Sequence, residues 1–391
     1  MAPSLLDTDL YKWTMMYAVW EKHPDDAVSY RFINRRAEDR FNLRFLTNLR
    51  SGIETLGAVS LTHGEIEWLR SLGLFGEPFL DYLADFRLDP SNVRTHLSSD
   101  GHLQLEITGL WHETILWEVP LMALICDCYY SCVDTEWECD LTGVRHDAHS
   151  KGAALAQAGC PFIEFGTRRR RAKEVQASVL KGFLDLPEKY RGCFRGTSNT
   201  FFARKFGIPA IGTMAHEWIM GYAGLAGVQG ANQRSLESWC EIFGDQLSIA
   251  LTDTYTTEHF LAEFSGPLAR RFNGVRQDSG SPFDFVDRIV RFYEGEGIDP
   301  KSRQVVFSDG LTTDRALEVQ DYAGTRVRAA YGIGTHFTND FANSPALNIV
   351  IKLHSINGRS VAKLSDEPTK ASGDESAVRE ARRAVGFETS V

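Results

Sequence analysis

The 391-residue chain has no uninterrupted apolar run approaching the ~20 residues that span a bilayer; the longest notable one is Val119–Cys126. It has no charged-then-apolar amino-terminal segment of the secretory kind, so the expectation is a cytoplasmic protein without membrane attachment. It has no excess of positive charge. Against 52 Asp and Glu stand 42 Lys and Arg, and the formal net charge of −10 argues against a general binder of nucleic acid or anionic membrane. An anionic substrate stays open, because local basic groups override an average. The 7 cysteines, an odd number, do not read as a disulfide framework. Cys126, Cys128, Cys132 and Cys139 cluster, but without the spacing of paired zinc knuckles and in apolar surroundings, so they read as packed thiols. Repeats and low-complexity tracts are missing. No Lys ends a strand-like run in the stretch read as a barrel, 131–345, which weighs against a Schiff-base lyase or aldolase.

What remains is an ordinary globular composition, 43% hydrophobic and 24% charged, at a length that suits two domains. Residues 1 to about 130 mix elements. A helix is expected within Leu5–Lys22, a strand at Val28–Ile33, helical pieces within Ala37–Leu56 and Gly64–Leu74, and a hairpin within Val93–Thr108 about Asp100-Gly101. From Cys160 strands and helices alternate. Strand ends fall at Glu164-Phe165-Gly166, Gly196-Thr197-Ser198, His216, Asp253, Asp278, Asp309 and Gly332-Ile333-Gly334. Helical patterns at Arg171–Leu184, Leu236–Phe243, Thr257–Phe264, Phe283–Tyr293 and Thr313–Tyr322 separate most of them. Seven such ends predict an α/β barrel over 131–345. The tail, with turns at Asn357-Gly358 and Ser372-Gly373, ceases to alternate; it is expected to return to the first domain, giving an α+β domain from 1–130 plus 346–391.

The strand ends carry the candidate chemistry. Ile208–Met214 is short, apolar and β-branched, and it predicts a strand that delivers His216 to the carboxyl end, where parallel α/β folds keep their active groups. A strand-end His is as often a hydrogen-bonded structural imidazole as a catalyst. Asp253, Asp278 and Asp309 follow apolar runs in the same way. Such carboxylates suit a hard cation such as Mg²⁺, or a positive charge developing on a sugar; a solvated acidic rim is the bland reading. Gly332-Ile333-Gly334-Thr335, together with Ser308-Asp309-Gly310, suits phosphate held by backbone N–H groups, although turns use glycine anyway. Ser279-Gly280-Ser281-Pro282 is a strand-to-helix turn and good helix-start chemistry in itself. In Arg168-Arg169-Arg170-Arg171, directly after a strand end, Arg168 or Arg170 is placed to clamp a carboxylate or phosphate, the others being structural. Phe165 could stack on a planar heterocycle, core packing being the default. The His146–His149 run has no assigned role and reads as a surface loop rather than a metal site.

Taken together these stretches resemble the nicotinate phosphoribosyltransferase family. The matching runs are Ser4–Lys12, Glu164–Arg170, Gly196–Asn199, Gly212–Trp218, Ala250–Thr254, Arg276–Pro282, Phe307–Asp309 and Gly332–Thr335, extended by Asn348–Leu353 and Val361–Asp366. The resemblance implies an irregular (β/α) barrel of the type II phosphoribosyltransferase kind with an additional α+β domain, acting as a homodimer with a shared active site. It implies transfer of phosphoribosyl from 5-phosphoribosyl 1-pyrophosphate to nicotinate, giving nicotinate mononucleotide and pyrophosphate for NAD salvage. ATP is a co-substrate yielding ADP and phosphate, and Mg²⁺ is required. By motif the phosphohistidine falls on His216. Asp253 and Asp278 are similar to the ribose and Mg²⁺-pyrophosphate carboxylates, the metal being held partly through water or pyrophosphate, and Arg276 resembles a phosphate contact. Asp309, Gly310, Gly332, Gly334 and Thr335 resemble the 5′-phosphate cradle. The base would stack on Phe165 and on a Tyr11 from the other copy, with Arg168 reading its carboxylate or holding phosphate. Ser198, where nicotinamide-using relatives carry an acid, favours an anionic base.

Transfer to nicotinamide or quinolinate is the alternative within this chemistry. Quinolinate, with two carboxylates, demands a denser basic pocket and its enzyme needs no phosphohistidine. A non-catalytic phosphosugar-binding protein is the alternative outside it, with no use for His216.

Overall fold

The computed structural model describes residues 3–137 and 140–386. Its internal contacts divide the chain into two interleaved units. Unit one takes the residues up to Gln157, Ile163–Gly212 and Ile333–Lys352; unit two takes Ala158–Phe162, Thr213–Gly332 and the chain from Leu353. The expected return of the tail to the amino-terminal domain is met in part: the strand Ile349–Ile356 neighbours Ala27–Asn34 in one five-stranded sheet, while the chain from Leu353 groups by its contacts with the strands that carry the carboxylates.

In unit one, β1 (Ala27–Asn34), β2 (Val93–Leu97) and β3 (Leu103–Leu110) form an antiparallel array with β3 central, in the register Tyr30↔Ile107 and Thr95↔Leu105. Leu103, Leu105 and Ile107 alternate inward along β3, which is the period a half-buried strand requires. The tip between β2 and β3 carries Gly101 at φ +83°, as the Asp100-Gly101 pair predicts. The helices Leu43–Gly57 and His63–Ser71 start on Asn42, whose side chain accepts from the Phe45 N–H, and on a Thr62/Glu65 capping box. The first helix runs Leu10–Lys22, shorter than expected. Leu6, Thr8 and Leu10 are tied instead to the backbone of Phe201, Thr200 and Ser198. The helical stretch Trp111–Cys132 is long and apolar enough to cross a bilayer by composition, yet 67% of its most apolar window is buried inside the protein, as in a core helix. Cys126 and Cys128 are buried along it; burial pushes both thiols up to about 12, and Cys139 lies outside the described residues. His146 and His149 lie on the helix Leu141–Gln157 and not in a loop. β4 (Phe162–Glu164) and β5 (Phe194–Thr197) neighbour one another.

The expected strand Ile208–Met214 is not formed. A single bridge joins Thr197 to Ala210, with Ile211 N–H donating to Thr197 O. Pro209 has no N–H to give a ladder, which limits the pairing to that bridge. His216 therefore does not end a strand; it opens the helix His216–Ala226.

Unit two is built on four parallel strands, β6 (Ile249–Leu251), β7 (Gly274–Gln277), β8 (Gln304–Phe307) and β9 (Arg328–Ile333). Their partners run Leu251↔Arg276, Gln277↔Phe307 and Val306↔Ala330. The helices Thr257–Glu263 and Pro267–Arg271, then Pro282–Gly295, then Thr313–Ala323 connect them, which is the βα alternation read from sequence. Ser281 caps the second connection, accepting from Asp284 N–H with Pro282 in the first turn. After β9, β10 (Ile349–Ile356) carries the chain from unit one to unit two and pairs with β11 (Arg359–Ser360) across Asn357-Gly358, both at positive φ. Lys363 and Ser372 then exchange backbone hydrogen bonds, and the helix Glu375–Ala384 follows.

Candidate active site

In unit two three parallel strands end side by side, and their polar groups meet. Asp253 follows β6 by two residues, Asp278 follows β7 directly and Asp309 follows β8 by two. His216 joins them from the first position of its helix. Its Nε2 lies 3.1 Å from Asp278 Oδ2 and 3.9 Å from Asp253 Oδ1, and its Nδ1 lies 3.0 Å from Thr254 Oγ1. Arg276 Nη2 reaches Asp278 Oδ2 at 3.3 Å, and Ser308 Oγ donates to Asp278 Oδ1 at 2.7 Å. Asp253 is buried, and Ser279 Oγ donates to its Oδ2 at 2.7 Å.

Lys363, to which sequence reasoning gave no role, completes the cluster. Its buried ammonium donates to Asp253 Oδ2 at 2.8 Å and stands 2.9 Å from His216 Nε2. The same stretch of tail binds every strand end nearby. Leu364 N–H donates to Thr254 O, Asp366 accepts from Thr257 N–H and Oγ1, Asp366 N–H reaches Ser279 Oγ, and Lys370 Nζ grips both oxygens of Asp309 at 2.7 Å. Asp309 is thus clamped by Lys370, and Gly310 beside it sits at φ +56°.

Burial, and then the Lys363 ammonium, lower the His216 ring to about 4 against the pull of the two carboxylates. Burial would raise the Asp253 carboxyl, but Lys363 and then His216 more than offset it. Asp278 is likewise raised by burial and held well below the ordinary range by Arg276 and His216. At neutral pH the cluster is a neutral imidazole among two carboxylates, an ammonium and a guanidinium. Lys363 and Arg276 balance the two carboxylates; the Lys363–Asp253 pair is buried, and Arg276 and Asp278 stand half-buried beside it.

The cluster also suits a divalent cation. One ligand atom each from His216, Asp253 and Asp278 lie within 4.8 Å of one another, and Asp253 Oδ1 is buried without a hydrogen-bond partner. Oxygen donors fit Mg²⁺. Asp309, taken by Lys370, is the carboxylate least open to a metal.

Unit one holds Tyr11, Phe165, Arg168, Ser198, Gly334 and Thr335, whereas Gly332 lies in β9 and belongs to unit two. Arg170 makes a bidentate pair with Asp7 at 2.7 and 2.8 Å, and Arg171 is sealed over Tyr130 and Phe341 with its fork on Ser344. Of the two candidate arginines only Arg168 stays open, its side chain 41% exposed, with Glu118 Oε1 at 3.5 Å. Lys12 pairs with the same Glu118 at 2.5 Å. Phe165 is half-buried, and the backbone at Gly334 packs on it: a Cβ there would stand 2.9 Å from Phe165 O. Thr335 begins a single turn, Thr335–Thr338. Ser198 is buried and donates to Asp9 Oδ1 at 2.7 Å, so a carboxyl does stand at this position, supplied from another stretch of the chain. Burial raises the Asp9 carboxyl, with Arg168 opposing. Tyr11, next to it, is buried within its own unit and backs onto Gly212.

A family model described as the nicotinate phosphoribosyltransferase (NAPRTase) family matches residues 160–388, and one for the NAPRTase N-terminal domain matches residues 6–126. The chain belongs to the nicotinate phosphoribosyltransferase family. The Methanosarcina acetivorans nicotinate phosphoribosyltransferase is 41% identical over 404 residues, with 99% of this chain and 98% of the relative covered. That of Chromohalobacter salexigens is 37% identical, with 99% of each covered. Among solved structures, nicotinate phosphoribosyltransferase from Porphyromonas gingivalis superposes with a TM-score of 0.93 at 36% identity, covering 99% of this chain and 100% of the other. The Vibrio cholerae structure gives 0.92 at 36%, covering 99% and 94%. The expected fold class therefore holds: mixed α/β with a parallel and an antiparallel sheet, shared with members of this family.

Proposed function

We propose that the chain transfers phosphoribosyl from 5-phosphoribosyl 1-pyrophosphate to nicotinate, stimulated by ATP through phosphorylation of His216. The observation that carries this reading is the neutral His216 ring, wedged between Asp253, Asp278 and Lys363 at the start of an 11-residue helix. In the first step the Nε2 lone pair attacks the γ-phosphorus of ATP. An N–P bond forms as the bond to the β,γ-bridging oxygen breaks, and ADP leaves with the electron pair. The amino end of a helix favours the added negative charge. Mg²⁺, held by Asp253 and Asp278, would neutralise pyrophosphate oxygens.

At the sugar, the C1–O bond to pyrophosphate breaks as the pyridine nitrogen bonds to C1, and Asp253 and Asp278 stabilise the positive charge between. Water then takes the phosphoryl group from His216 as inorganic phosphate. Lys370, fixed on Asp309, supplies a cation for the 5′-phosphate beside Gly310. Arg168, the more exposed of the two candidate arginines, reads the nicotinate carboxylate beside Phe165. A homodimer with a shared active site belongs to this reading.

The test measures mononucleotide formation from phosphoribosyl pyrophosphate with nicotinate, nicotinamide or quinolinate, with and without ATP. Nicotinate is turned over and ATP stimulates it; His216→Ala abolishes the stimulation. Turnover indifferent to ATP would leave the transferase and remove the phosphohistidine. No turnover with any base would favour the phosphosugar-binding alternative.

A further inference from the structure

His216 Nε2 faces two groups with opposite demands. Lys363 Nζ, 2.9 Å away, has only hydrogens to offer and needs a lone pair. Asp278 Oδ2, 3.1 Å away, has only lone pairs and needs a hydrogen. The neutral ring carries one proton, so one of these contacts decides where it sits. On the other side Nδ1 meets the Thr254 hydroxyl at 3.0 Å, which can donate or accept and so decides nothing. We infer that Lys363 is a positioning residue that fixes His216 in the tautomer with its proton on Nδ1, donated to Thr254, leaving the Nε2 lone pair for attack.

Lys363 has the less freedom of the two rivals. It is 3% exposed, a second hydrogen is committed to Asp253 Oδ2 at 2.8 Å, and its own backbone is clamped through Lys363 N–H to Ser372 O at 2.8 Å and Ser372 N–H to Lys363 O at 2.9 Å. The ammonium therefore cannot turn its hydrogens away. Asp278 is already supplied, by Ser308 on Oδ1 and Arg276 on Oδ2. A proton on Nε2 would point at the ammonium and gain only a third donor for Asp278. With the proton on Nδ1, the Lys363, Thr254 and Asp253 contacts are all satisfied. When an N–P bond uses the Nε2 lone pair, the hydrogen that Lys363 had placed there is released within reach of a phosphoryl oxygen.

This use of the lone pair rests on the phosphohistidine reading, whereas the tautomer does not, and the test separates them. Long-range ¹H–¹⁵N correlation on the ¹⁵N-histidine-labelled full chain reports the protonated nitrogen, with His216 assigned by the signal lost in His216→Gln. The wild type shows Nδ1 protonated. Lys363→Met moves the proton to Nε2, toward Asp278, while Lys363→Arg keeps it on Nδ1, and the other ten of the 11 histidines serve as the check on folding. Labelling from γ-³²P-ATP falls in Lys363→Met by roughly ten- to a hundredfold, the range for losing a hydrogen bond to a charged group, and Lys363→Arg restores some of it. A proton on Nε2 in the wild type, or no change in Lys363→Met, overturns the assignment. The expected tautomer without any labelling would remove the phosphohistidine and leave Lys363 its role.

Discussion

At the residue scale, His216 carries a signature in stability as well as in chemistry. Its ring is held at about 4, against about 6.5 in an unfolded chain. Between those values the unfolded chain binds a proton that the folded one refuses, so stability falls as pH drops through this window and the loss is absent above it. Replacing His216 with Gln removes that proton-linked term. Relative to wild type, His216→Gln is therefore more stable at about pH 4.5 than at about pH 7.5, read from urea midpoints. Parallel pH profiles for the two proteins would show that the ring titrates normally. The same residue shows how far sequence reading goes: Gly212–Trp218 singled out His216 as a candidate, but its partner was not legible. Lys363 lies in a tail that stops alternating, and nothing in Val361–Asp366 says that a lysine there is buried against a histidine 147 positions earlier.

At the scale of elements, the parallel strands were legible because each is a short apolar run bounded by polar or glycine turns, and their connections carry readable starts such as Ser281-Pro282. Ile208–Met214 has the same texture and is no strand, because Pro209 removes a donor where a ladder needs one. Leu5–Asp9 fits a helical period but is drawn into hydrogen bonds with residues 198–201, a competition that no local pattern records. Conversely, the helices Glu77–Asp85 and Leu141–Gln157 went unread, the second hidden by its histidines and glycines. Gly274 gives this scale its prediction. It opens β7 opposite Gln304 of β8, and a Cβ there would stand 2.0 Å from the Gln304 carbonyl oxygen. That neighbour is backbone and cannot swing aside, so Gly274→Ala must push apart the strands that lead to Asp278 and Asp309. The variant loses about 1–3 kcal/mol, the usual cost of overpacking, measured by denaturant unfolding. A loss below about 0.5 kcal/mol would mean that the strands have slack at this point.

At the scale of the whole molecule, the groups assigned to the two substrates are distributed unequally. His216, Asp253, Asp278, Arg276, Asp309 and Lys370 belong to unit two, whereas Phe165, Arg168, Ser198 and Tyr11 belong to unit one, with the Gly332–Thr335 turn where the chain passes between them. A ligand stabilises what it binds by mass action, by about 2.7 kcal/mol at a hundredfold excess over its Kd. Local opening of backbone amides reports that gain segment by segment. Phosphoribosyl pyrophosphate therefore slows amide exchange in the peptides covering 253–257, 276–281, 308–311 and 332–335. Nicotinate alone slows it in those covering 8–12, 164–168 and 197–199. Since exchange in a segment falls about tenfold for each 1.4 kcal/mol, even partial saturation leaves a readable pattern. Should phosphoribosyl pyrophosphate protect only the unit-one peptides and leave the strand ends of β6, β7 and β8 unchanged, the assignment of Asp253, Asp278 and Lys370 to the sugar phosphate would fail, while family membership would stand. Should it protect the strand ends but nicotinate protect nothing by itself, the base site forms only after the sugar phosphate is bound, and Arg168 and Phe165 would have to be tested in its presence.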